Sequence, residues 1–153
     1  MVDLKSKFWL YLIIDALIVI IAIITPAITA NYSSGIALLW MWSSYIAPPT
    51  EVVLIPDIIF LTGIIFLMLN IIGIIILLYT GLASRKGVEN KKILMILLLI
   101  CGIILIMGSI IYLTVMGNAV GVSWGFFNPN FGSIGPIIAG VLAFVGIFIS
   151  RKI

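Results

Sequence analysis

The sequence contains no histidine and a single cysteine, Cys101. One cysteine cannot close an intramolecular disulfide. Haem held by histidine, a histidine-rich zinc site and Ser-His or Cys-His catalysis are excluded for this chain alone. Charge is almost as scarce. Charged residues make up 8% of the chain and apolar ones 64%, against about a quarter and about a half in soluble domains. A water-soluble fold of this length has too little interior for so much apolar surface, so lipid must solvate most of it. The sequence also carries no phosphate loop, acid pair or metal-ligand cluster. No enzymatic activity, cofactor, metal or nucleic-acid partner is therefore expected.

What is present is four apolar runs, at about 8–29, 56–80, 93–116 and 134–150. Crossing a hydrocarbon core takes roughly 20 helical residues at about 1.5 Å each. The runs predict an all-α integral membrane protein: one domain over 1–153, built as a four-transmembrane-helix bundle. The loops at 30–55 and 117–133 fall on one side and the loop at 81–92 on the other.

Charge orients the bundle. The basic residues are Lys5, Lys7, Arg85, Lys86, Lys91, Lys92, Arg151 and Lys152. All precede the first run, follow the fourth, or lie between the second and third. The positive-inside rule then places both termini in the cytoplasm of a cell-membrane protein. The first run resembles a signal peptide in its basic start and its Ile28-Thr29-Ala30 end. Its length and its Asp15 favour a retained anchor. Pro26 is expected to loosen the last turn of that span. Pro56 and Pro136 suit the first turns of spans two and four. The polar 81–92 loop reads as a topology determinant, with anionic lipid as the alternative reading.

The two outer loops are not polar. The first holds Ile36-Ala-Leu-Leu-Trp-Met-Trp42, a Pro48-Pro49 break and the strand-like Val52-Val-Leu-Ile55. The second holds Ala119 to Phe127, then Asn128-Pro-Asn-Phe-Gly132, which reads as a turn. Two arrangements fit. Trp40, Trp42, Tyr45, Trp124, Phe126 and Phe127 can lie in the headgroup layer as an aromatic belt. Alternatively, the apolar stretches pair as a small β-rich extracellular cap that exposes these side chains to another protein. Asn31-Tyr-Ser33 is a candidate glycosylation acceptor on the same side.

Within the membrane, Gly135, Ala139, Ala143 and Gly146 form one small-residue stripe on span four. Such stripes let helix backbones approach closely, inside the chain or in a partner copy. Gly102 and Ser109 are candidates for the same use on span three, and Cys101 reads as a small packing residue. Asp15 and Asn70 are the intramembrane polar candidates. A carboxylate in hydrocarbon costs about 2.5–3.5 kcal/mol on insertion scales, so Asp15 should be neutralised or paired. Antiparallel spans one and two are expected to bring it within about one helical turn of Asn70 in depth.

Two short resemblances accompany these residues. Leu39-Trp40-Met41 resembles the Leu-Trp in the first outer loop of claudin-type junction proteins, which implies both termini inside and a small outer sheet. Asp15 resembles in placement the single membrane acid of small multidrug resistance transporters. Ser123-Trp-Gly-Phe-Phe127 followed by Pro136-Ile-Ile138 is similar to the end of such chains. The expected role is a non-catalytic structural or partner-binding subunit. It would act through the aromatic outer loops and the small-residue seam on other membrane proteins or copies of itself. The alternative is a small oligomeric transporter of protons or small cationic compounds using Asp15.

Overall fold

A computed structural model of the chain describes residues 4–32, 35–41, 44–46, 57–87, 90–119 and 127–152. Four helices long and apolar enough to cross a membrane run through these residues. They are α1 (Leu4–Ile24), α2 (Asp57–Arg85), α3 (Lys91–Ala119) and α4 (Phe131–Lys152). Four strands accompany them: β1 (Ile28–Tyr32), β2 (Gly35–Leu39), β3 (Ser44–Ile46) and β4 (Phe127–Pro129).

Each helix packs against two others, α1 on α2 and α4, and α3 on α2 and α4. The pairs are antiparallel. Gly146 meets Tyr11 and Leu12 while Gly135 meets Ala22, and Gly73 meets Leu105 while Gly108 meets Leu69 and Phe66. The interior is one apolar column in two clusters. The first joins Phe8, Leu12, Ala16 and Val19 to Leu77, Leu98, Cys101, Leu105, Ala139 and Ala143. Outward-facing positions carry large apolar residues such as Ile14, Ile65, Ile75, Ile111 and Phe148, as lipid-facing surfaces require.

The helix ends follow local chemistry. Pro26 has no N–H to continue the ladder, and α1 stops at Ile24 rather than at Thr29 as the apolar run suggests. At the far end of α2, Gly87 takes a left-handed φ of 71° and its N–H bonds Ser84 O at 3.3 Å, a usual C-terminal stop. Asn90 then caps α3 through Oδ1 to the Ile93 N–H at 3.4 Å. Helix α4 begins at Phe131, three residues before the expected 134, so Pro136 lies in its second turn. Pro56 falls outside the described residues.

The strands form one antiparallel sheet in the order β3-β2-β1-β4. Ile28 pairs with Leu39 and Tyr32 with Gly35, while Ile28 also pairs with Pro129 and Ala30 with Phe127. β1 is thus central, and Pro129 sits on an edge strand, where a missing donor is tolerated. A sheet forms where an aromatic belt was the other expectation. Its strands differ in part from the expected stretches. Ile28–Thr29 leaves the first span for β1, Asn128–Pro129 is strand instead of turn, Ala119 ends α3, and Val52–Ile55 lies outside the described residues.

Helix length explains where the sheet sits. α2 and α3 each have 29 residues, about 43 Å, against 21 in α1, about 31 Å. The shorter α1 leaves room beside the taller hairpin. There Ala27, Ile28 and Met41 close on Phe66, Tyr112 and Met116 in the second cluster, with Phe66 and Tyr112 stacked at 4.7 Å.

Candidate functional site

Asp15 lies on α1 between Leu12 and Val19, facing the first core cluster, and is 1% exposed. Neither carboxyl oxygen has a hydrogen-bond partner among the described residues. Tyr11 and Cys101 lie within electrostatic range of Asp15. Both of those are committed elsewhere: Tyr11 Oη donates to Leu142 O at 2.5 Å and Cys101 Sγ to Gly73 O at 3.6 Å. The first contact pins α1 to α4 and the second α3 to α2.

Asn70 is fully buried on α2 but does not meet Asp15. Its Nδ2 donates to Phe66 O at 2.8 Å and Met41 Sδ at 3.6 Å, and its Oδ1 has no partner among the described residues. The expected pair fails on register. Gly81 faces Trp9, Leu12 and Ile13, which puts Asn70 level with the last turns of α1, roughly 10 Å along the axis from Asp15. Asn70 instead serves the sheet end, where it holds Met41.

The small-residue stripe of α4 is spent inside the chain. Ala139 and Ala143 are fully buried in the first cluster, Gly135 abuts Ala22, and Gly146 abuts Leu98, Tyr11 and Leu12. Gly102 meets its counterpart Gly140. A Cβ on Gly102 would lie 3.0 Å from Gly140 O, and one on Gly140 would lie 2.9 Å from Gly102 O. Ser109 is buried but bonds its own helix at Leu105 O. Of the two placements expected for the stripe, inside the chain or in a partner copy, it takes the internal one.

The aromatic candidates separate into three groups. Trp40 is half-buried, and its Nε1 donates to Ile24 O at 3.2 Å. It satisfies one of the free carbonyls at the end of α1, so it works as an anchor of the connection. Tyr45 and Phe127 fall on β3 and β4, the two edge strands. Trp42, Trp124 and Phe126 lie outside the described residues. Asn31 is in β1 opposite Ile36, at the end of the β1–β2 hairpin and beyond the reach of β4.

Several determinants escaped the sequence. Met41 is 2% exposed and inserts its backbone against Gly63, where a Cβ would lie 2.1 Å from Met41 O. Gly132 meets the backbone of Pro26 and Ala27 at 2.7 Å in the same sense. Ser133 Oγ lies 2.8 Å from Ala27 O and 3.0 Å from Asn130 O, and Asn130 Nδ2 donates to Thr29 Oγ1. Asn130 falls within the stretch expected to be a turn, and nothing in that stretch marked these bonds. The other contacts join residues far apart in sequence.

Fold and site together define a class: a four-helix membrane bundle with a small sheet fastened to one end and a sealed polar residue in its core. No protein-family model matches the chain, and no curated protein matches it either.

Proposed function

We propose that the chain is a non-catalytic subunit of the cell membrane that binds a protein partner, another membrane protein or a second copy, at its sheet end. In this reading the sheet faces outward and both terminal segments are cytoplasmic, because every basic residue lies toward the opposite end or in the flanking segments. The observation that carries the role is the pairing of β1 with β4, which joins two connections 101 residues apart into one surface. The small-residue seam is consumed internally, so the helices offer a partner little besides large apolar side chains already suited to lipid. The sheet end offers backbone edges and the aromatic positions Tyr45 and Phe127, with Trp42 and Trp124 nearby in sequence. A small sheet over four helices is also what the resemblance to claudin-type junction proteins implies. Crosslinking in native membranes followed by partner identification tests the role. Tyr45→Ala with Phe127→Ala should abolish the crosslinked species, while Trp40→Ala should act by loosening the fold. An unchanged pattern with the edge pair replaced would refute the reading.

The bare oxygens of Asp15 favour a second reading, a small transporter of protons or cationic compounds. A carboxyl without partners in hydrocarbon is costly and is the kind of group retained for function. Its sealing within the core weighs toward the first reading. Proton-coupled uptake into vesicles containing the purified protein, lost in Asp15→Asn, supports the second; uptake equal to that of empty vesicles removes it.

A further inference from the structure

We propose that the corner between α1 and α2 at the end opposite the sheet binds the headgroup of an anionic phospholipid. The site does not depend on the partner role above. Lys7, Arg85, Lys86, Lys91, Lys92 and Arg151 are exposed at this end. The two acids among the described residues lie elsewhere: Asp15 is in the core and Asp57 opens α2 at the sheet end. Six exposed cations directly above apolar spans are complementary to a layer of lipid phosphates, with Asp3 and Glu89 outside the described residues.

The corner is more than a charged rim. Gly81 lets α2 approach α1 so closely that a Cβ there would lie 3.3 Å from Trp9 O. The approach brings the Arg85 guanidinium over the Trp9 ring, 5.0 Å from its centroid. A guanidinium held by its face keeps its N–H edge for bidentate contact with phosphate oxygens. Below it, Ile75, Tyr79 and Leu82 are 60%, 57% and 48% exposed. With Lys86, whose N–H continues the ladder to Leu82 O just past the end of α2, they are spaced by four, three and four residues, so they form one stripe. An acyl chain lying along that stripe ends with its phosphate beside Lys86 and Arg85. The corner offers cations and, among the described residues, no carboxylate for a choline or ethanolamine ammonium. The described cations there favour a headgroup with net negative charge.

The test uses the full chain in nanodiscs of mixed phosphatidylglycerol and phosphatidylcholine, with retained lipid counted by native mass spectrometry. Phosphatidylglycerol should be retained with about tenfold preference, and Arg85→Gln with Lys86→Gln should bring retention of the two lipids close to equal, with circular dichroism unchanged. If the double variant loses helix, the unmodified protein decides: its preference must fall as salt is raised, because the cations are exposed. Equal retention of both lipids, a salt-independent preference, or an unchanged preference in a folded double variant would overturn the proposal. Displacement of the lipid by soluble glycerol phosphate at equal concentration would make this a free-phosphate site and overturn it too.

Discussion

At Gly63 the missing side chain is a structural requirement. Any Cβ would lie 2.1 Å from the Met41 carbonyl oxygen, a backbone atom that cannot swing aside. Gly73 is crowded by Leu105 Cδ2 at 2.7 Å, the mobile end of a side chain. Gly63→Ala should therefore cost about 1–3 kcal/mol and Gly73→Ala distinctly less, as measured by thermal unfolding in detergent. Equal losses would show that Met41 yields. Asp15 poses the opposite case. Its oxygens are buried and unpartnered, so Asp15→Val removes a destabilising group and should raise stability by on the order of 1–3 kcal/mol. A lower unfolding temperature in that variant would mean that the carboxyl has a stabilising partner after all. The sequence showed that Asp15 was the unusual residue. It did not show that Asn70 would turn to the sheet end, because the register of α1 on α2 depends on contacts such as Gly81 with Trp9.

Among the elements, the joint between β1 and α4 holds the sheet to the bundle. Asn130 N bonds Ala27 O at 2.9 Å, Gly132 N bonds Pro26 O at 3.0 Å, and Ser133 Oγ lies within reach of Ala27 O. Ser133→Ala removes one side-chain bond of about 1 kcal/mol. Hydrogen exchange should accelerate in β1 and the first turn of α4 and stay unchanged in the middle of α2 and α3. Uniform acceleration along all four helices would instead mean that sheet and bundle unfold as one unit. Helix positions were legible from the four apolar runs to within a few residues, but their ends were not. α1 ends five residues short of the expected Thr29, since strand pairing claims Ile28 and Thr29. α4 starts three residues early, at Phe131, because Asn130 accepts from the N–H groups of Ser133 and Ile134.

For the whole molecule, four crossings and a one-sided charge distribution lead to one expectation about orientation. Lys86→Cys should react with an impermeant maleimide only from the cytoplasmic side, and Asn128→Cys only from outside. Cys101 is buried and should supply no background. Labelling of Asn128→Cys from the cytoplasm would reverse the orientation, and labelling of both positions from both sides would indicate mixed insertion.

Composition and the length of each apolar run by themselves determined that four helices are long and apolar enough to cross a membrane, and that the cations fall outside the four apolar runs. Those outcomes depend on the sum of many residues and on the length of each run, so no single contact alters them. The tertiary structure decided the rest. It spent the Gly135–Gly146 stripe inside the chain, turned Trp40 into an anchor, kept Asp15 apart from Asn70, and set Arg85 on Trp9. It also paired Ile28 with Pro129 and so made a sheet from two loops. Each of these depends on which residues meet across large sequence separations. That is set by the close packing of α1 on α2 and α4 and by the difference in length between α1 and the α2–α3 hairpin, which local sequence patterns do not encode.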